Sequence, residues 1–130
     1  MEHEELTRVI IGSAISVHRA LGPGFLESVY RNALVHELGK VGLQAECEKR
    51  IKVRYEGVLI GDFVADMVIQ NCILIENKAV QAISKAHEVQ LVNYLAATQI
   101  ETGLLLNFGA PRLQFKRKSR VYRAGGDLKG

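Results

Sequence analysis

Three residues in the middle of the chain carry side chains that their surroundings do not explain. Asp66 and Glu76 are acids in runs that are otherwise apolar, VADMVI and ILIENK, and Lys78 follows Glu76 by two positions. A buried carboxylate without a partner costs several kcal/mol, so each acid should have one. On a strand, Glu76 and Lys78 at i and i+2 point to the same face. Whether Asp66 joins them depends on the intervening loop. A two-residue turn at Asn71-Cys72 pairs Ile69 with Leu74 and sets Asp66 opposite Asn77. A three-residue turn, Gln70-Asn71-Cys72, pairs Ile69 with Ile73 and sets Asp66 opposite Glu76. A slip of one residue flips every side chain, so a joint site requires the three-residue turn. Two carboxylates near 4 Å repel by roughly 1 kcal/mol in water and about 4 kcal/mol at an effective dielectric of 20. A divalent cation reverses that sign, and carboxylate donors without cysteine or histidine favour Mg²⁺ or Mn²⁺ over Zn²⁺. The competing reading is that Lys78 simply forms a partly buried salt bridge with Glu76 or Asp66.

Other polar residues are weaker candidates on their own. Gln90 and Tyr94 are neighbours on one helical face, with His87 a turn earlier. They equally suit a polar stripe beside a buried face of Val89, Val92 and Leu95. Glu27 opens a helix, where an acid complements the helix dipole and needs no metal. His18 lies just before a glycine turn and could approach a phosphate, or serve as a hydrogen-bonded structural residue. Neither His18 nor His87 has a second ligand at zinc spacing. Gly22-Pro23-Gly24 follows a helix and lacks the Lys-Ser/Thr of a phosphate loop.

The elements that must position these residues are legible from periodicity. Leu6, Val9, Ile10, Ala14, Val17 and Leu21 predict an amphipathic helix from Glu4 to about Ala20. LGPGF breaks it. A second helix is expected from about Leu26 to Val41, with Gly42 as its stop and a face of Leu26, Val29, Tyr30, Ala33, Leu34 and Leu38. Ile51, Val53 and Tyr55 alternate with Lys52 and Arg54, which predicts a half-buried strand. Glu56-Gly57 turns into a second strand, Val58 to Ile69, bent at Gly61. The continuous apolar run Ile73-Leu74-Ile75 predicts a strand covered on both faces, hence central. A third helix runs from Ser84, its candidate N-cap, to Thr98. Gly103 to Phe108 is a further buried strand, and Leu113 to Val121 an exposed edge strand. The order ααβββαββ gives one α/β unit of mixed sheet and helices over residues 1–130.

Composition narrows the class. The chain has 130 residues, 48% hydrophobic and 24% charged, which is ordinary for a globular protein. No stretch reaches the roughly 20 apolar residues of a membrane span. Two distant cysteines, Cys47 and Cys72, read as free thiols, and the acidic start argues against a leader peptide, so a cytoplasmic location is expected. Charge is unevenly placed. Residues 112–130 hold seven Lys/Arg against one acid, while residues 1–111 hold ten basic and thirteen acidic residues. A basic edge on an acid-bearing body suits a protein that holds a polyanion and works on it with a metal. A solvated C-terminal tail would give the same composition.

The arrangement Asp66…Glu76-Asn77-Lys78 resembles the PD-(D/E)XK nuclease superfamily. Two further segments resemble its GxxExxY branch: Gly24-Phe25-Leu26-Glu27-Ser28-Val29-Tyr30, and Gln90-Leu91-Val92-Asn93-Tyr94, which fits the QxxxY helix following the ExK strand in many members. Ala65 stands where the superfamily label has a proline. The resemblance, from about His18 to Phe108, implies a restriction-endonuclease-like fold and a Mg²⁺- or Mn²⁺-dependent nuclease. It implies catalytic roles for Glu27, Asp66, Glu76, Lys78 and Gln90. Glu27, Asp66, Glu76 and the Asn77 backbone carbonyl would be the metal ligands, with His18, Tyr30, His87 and Tyr94 in support. Arg112, Lys116, Arg117, Lys118 and Arg120 would hold nucleic-acid phosphates, DNA more than RNA. The rival expectation is a silent nucleic-acid-binding module on the same fold, which would need an accessory domain or partner; a homodimer or a partner protein is the expected assembly.

Overall fold

The computed structural model describes residues 3–120, and the backbone of 122–123 and 126–127. Two helices come first, α1 (His3–Leu21) and α2 (Glu27–Lys40), then strands β1 (Ala45–Tyr55), β2 (Val58–Ile69) and β3 (Ile73–Lys78). Helix α3 (Lys85–Thr98) leads to β4 (Thr102–Asn107) and β5 (Gln114–Ser119). A short ladder of β6 (Tyr122–Arg123) and β7 (Gly126–Asp127), which periodicity does not predict, follows. Arg123 is described in its backbone alone, and Val121 and Lys129 lie outside the described residues.

The five main strands lie in the order β1-β2-β3-β4-β5. Only β3 and β4 run parallel, joined by α3; the other neighbours are antiparallel. The apolar run of β3 therefore sits in the centre, as expected, and every residue from Ile73 to Asn77 is buried. One face of the sheet meets α1 and α2 through Leu6, Ile10, Tyr30, Leu34, Ile73, Ile75 and Leu106. The other meets α3 through Leu74, Leu91, Leu95 and Leu105.

Local chemistry sets the ends of the helices. Leu43 N–H bonds back to Leu38 O and Gly42 N–H to Gly39 O, with Gly42 at φ +82°, a glycine stop for α2. Ser84 Oγ accepts His87 N–H, and Ser84 N–H donates to His87 Nδ1, so α3 begins in a reciprocal cap.

Three expectations need correction. Only Ile51 of the β1 alternation is buried, while Tyr55, Val58 and Ile60 are exposed, because the distal half of the hairpin extends past all three helices. Leu26 and Val29 are exposed, leaving Tyr30, Leu34 and Leu38 as the buried face of α2. The buried pair on α3 is Leu91 and Leu95, and Val89 faces out, since the strand beneath contacts one turn-spaced pair. No helix among the described residues is long and apolar enough to cross a membrane.

Candidate active site

The hairpin joining β2 to β3 uses the three-residue turn. Gln70 and Asn71 are both left-handed, Cys72 N–H bonds to Ile69 O, and Ile69 pairs with Ile73 and Met67 with Ile75. Asp66 thus falls opposite Glu76, one step beyond the last ladder pair. Asp66 N–H donates to Glu76 Oε2 at 3.0 Å.

The carboxylates themselves do not face one another on a common side, as perfect alternation would require. Ala65 belongs to the core beneath α3, yet Met67, two residues on, belongs to the core beneath α1 and α2. Strand β2 changes face at Asp66. Across from it, Glu48 of β1 stands at φ +53°, a conformation that costs a non-glycine residue energy and interrupts the pairing between Cys47–Met67 and Lys49–Ala65. Asp66 turns toward α2. Its Oδ2 accepts the Asn77 N–H at 3.1 Å and Asn77 Nδ2 at 2.7 Å, and its Oδ1 lies 3.5 Å from the Arg31 guanidinium. Glu76 takes the parity of Leu74, toward α3.

Glu76 is the most perturbed group here. It is 9% exposed, and burial pushes its carboxyl up to about 7. The Asp66 N–H and Lys78 oppose that rise, while Asp66 and Glu27 add like charge to it. Lys78 shares the parity of Glu76, yet forms no ion pair with any described residue. The salt-bridge reading of Lys78 is therefore not met. Glu27, at the start of α2, accepts the Ala79 N–H at 3.4 Å, which brings the helical acid to the residue after Lys78. Tyr94 stacks on Phe63 at 3.8 Å, and burial and then the Glu76 charge push its hydroxyl up. Glu27, Asp66, Glu76, Lys78 and Tyr94 form one neighbourhood.

The remaining candidates are distributed differently. Gln90 is exposed on α3, and His87 is occupied by the cap. His18 is buried, with Nε2 2.9 Å from Ala110 O, a contact that ties α1 to the loop after β4. Tyr30 is buried and stacked on Phe108; its hydroxyl donates to Gly22 O and accepts the Phe25 N–H, bracing the glycine turn before Glu27. The cations at the C-terminal edge split between the two faces. Arg117 pairs with Glu4 of α1, Lys118 with Glu88 of α3, and Arg120 with Glu101. Arg112 and Lys116 have no ion pair among the described residues. Arg31 escaped the sequence reading; the signal was there, four residues after Glu27 and so beside it on one helix face.

The donors suit a hard cation. Glu76 Oε1 has no hydrogen-bond partner among the described residues, Asp66 Oδ1 has only the distant Arg31, and buried Asn77 Oδ1 has none. In this arrangement no three His, Cys, Asp or Glu residues among those described gather on one point, because Asp66 is drawn toward Asn77 and Arg31. A cation would draw Asp66 Oδ1 and Glu76 Oε1 together.

Comparison with known proteins agrees with this architecture. The crystal structure of SSO0001 superposes with a TM-score of 0.57 at 23% identity, over 71% of this chain and 50% of that one. That likeness concerns the fold, and this chain spans half the length of that protein. No curated protein matches the sequence. The family model of the PD-(D/E)XK nuclease superfamily matches residues 4–118, and the sheet order and flanking helices are restriction-endonuclease-like. The chain belongs to the PD-(D/E)XK nuclease superfamily.

Proposed function

We propose that this protein, a member of the GxxExxY branch, is a Mg²⁺- or Mn²⁺-dependent phosphodiesterase that cuts DNA. The observation that carries the reading is the pairing of a buried carboxylate, Glu76, with a lysine on the same side of the same strand that forms no ion pair. Such an amine is free to hold another anion. Asp66 and Glu76 would hold the cation, with the Asn77 carbonyl and Glu27 completing its surroundings. That cation supplies Lewis acidity at the phosphoryl oxygens and a more acidic water. Lys78 Nζ orients the attacking water and stabilises charge that builds on the phosphate. Tyr94 walls the site through its stack on Phe63, and exposed Gln90 meets substrate from α3. Arg112 and Lys116 are available for backbone phosphates without breaking an ion pair; Arg117, Lys118 and Arg120 would exchange acidic partners for phosphate, a small loss for surface pairs. Free Cys47 and Cys72 fit a reducing compartment, on which ground we assign the protein to the cytoplasm.

Nicking of supercoiled plasmid tests this. Wild-type protein should nick in Mg²⁺ or Mn²⁺ and not in EDTA, and Glu76→Ala and Lys78→Ala, purified identically, should not. A second reading, a nucleic-acid-binding module without catalysis, is favoured by the engagement of Asp66 with Asn77 and Arg31. Salt-sensitive DNA binding with no nicking and no metal uptake would establish it and end the first.

A further inference from the structure

A cavity of about 670 Å³ opens between the end of α1, the glycine turn and the loop after β4, and none of the acids nor Lys78 lines it. Ile15 and Arg19 of α1, Pro23 of the glycine turn, and Pro111, Arg112 and Leu113 after β4 line it. No acid lines it, and neither arginine has an ion pair among the described residues. Both guanidiniums are exposed at the mouth without an acidic partner and so are available to an anion, and their planar donor forks match phosphate. The rest of the wall is the imidazole of His18, Gly22 and aliphatic and prolyl side chains, which suits the flat face of a ring, and the volume is that of a site for a small organic molecule. A lone phosphate would leave most of it unfilled.

The segments that line the cavity also lead to the active site. Pro23 is four residues before Glu27, whose carboxylate takes the Ala79 N–H. The loop holding Arg112 starts from Gly109, which sits so tightly on the segment after Lys78 that an added Cβ would stand 2.4 Å from Val80 O. Both walls are braced, the loop by His18 on Ala110 O and the turn by the Tyr30 hydroxyl between Gly22 O and Phe25 N–H. The braced turn leaves Phe25, two residues after Pro23, 48% exposed. Arg19 has a plainer use, as a cation in the last turn of α1. Arg112 belongs to no helix and has no such use.

We propose that this cavity is a nucleotide subsite, holding the phosphate on Arg19 and Arg112 and the base against the apolar wall, for one nucleotide of the strand next to the phosphodiester cut. The proposal rests on the nuclease reading and extends it.

The intact protein can be titrated with dAMP, deoxyadenosine and inorganic phosphate and followed by amide NMR, beside steady-state DNA cleavage. Resonances of the glycine turn and of residues 110–113 should respond to dAMP. Arg19→Ala and Arg112→Ala should each weaken dAMP about tenfold, the worth of one charge-assisted contact, with deoxyadenosine and phosphate both weaker than dAMP. The same variants should raise KM about tenfold and leave kcat within about twofold, while Lys40→Ala, a remote charge, changes neither. Phosphate binding as tightly as dAMP would reduce the cavity to an anion site and overturn the proposal. So would dAMP binding, or a KM, that is unchanged in the double variant; cleavage by that variant would leave the nuclease reading standing. Arginine-dependent dAMP binding by a wild-type protein that cuts nothing would keep the subsite and end the nuclease reading.

Discussion

Replacing Glu76 by glutamine should make the metal-free protein more stable at neutral and alkaline pH. Burial raises the Glu76 carboxyl from its ordinary 4.5 to about 7, so the folded chain holds that proton more tightly than the unfolded chain does. Between those two values the folded state carries the extra proton, and stability falls as pH rises; above about 7 the loss is complete. At 1.36 kcal/mol per pH unit the window is worth about 3 kcal/mol, a sizeable part of the total stability of a small domain. Glutamine keeps an oxygen for the Asp66 N–H and cannot ionise. Urea unfolding in EDTA at about pH 5 and about pH 8 measures the effect. Wild-type protein should lose most of that amount, about 2–3 kcal/mol, between them relative to Glu76→Gln. Saturating Mn²⁺ at the higher pH should restore the wild type and leave the variant unchanged, since only the carboxylate gains from the cation. A gap between the two proteins that does not vary with pH, or a variant less stable than wild type at pH 8, would refute the reasoning.

On the proposed function, Arg31 would compete with the cation for Asp66. At 3.5 Å the attraction is about 1 kcal/mol in water and about 5 kcal/mol at an effective dielectric of 20, and both side chains being 20% exposed places the real value between. Arg31→Gln should lower the half-saturating Mn²⁺ for nicking roughly tenfold; an unchanged or higher requirement removes Arg31 from that role. Gly109→Ala drives a Cβ to 2.4 Å from Val80 O and 2.5 Å from Val80 N, both backbone atoms. It should cost about 1–3 kcal/mol in urea unfolding and reduce nicking by displacing the residues after Lys78. Unaltered unfolding would show that the loop yields freely.

Much of the framework was legible because it depends on period and turn length alone. The spacing of Leu6, Ile10, Ala14 and Val17 gave α1, and Ser84 its place before α3. The sequence left a two- and a three-residue loop open and tied a joint site to the latter, Gln70-Asn71-Cys72, which is the one formed. Alternation failed at Asp66 itself, since it assumes a regular strand. The left-handed backbone at Glu48 breaks that regularity, and glutamate carries no signature for such a conformation in the way glycine or asparagine does. Long-range charge pairing was equally hidden. Arg117 read as a free cation because its partner, Glu4, lies 113 residues away, and no local pattern relates an edge strand to the first turn of α1. The exposure of Tyr55 and Ile60 also lay outside a periodic reading, which reports sidedness and not whether a helix reaches far enough to cover that side.

A purely structural account of the end of β3 meets a difficulty in its charges. Glu76 lies in a strand buried on both faces, with Asp66 and Glu27 adding negative potential and only the Asp66 N–H and the charge of Lys78 opposing it. An apolar side chain at that position would complete the same strand with no carboxyl to desolvate, and replacing buried charge by well-packed apolar residues is commonly neutral or stabilising. A salt bridge to Lys78 would have offset part of the burial, but no such pair is formed. What the arrangement does provide is an excess of hard oxygens over positive charge, with Asn77 Oδ1 buried and unpartnered beside them. On the proposed function, the instability of the metal-free site and an affinity for a divalent cation would have a single cause, the incompletely compensated charge of Glu76. Strengthening one strengthens the other.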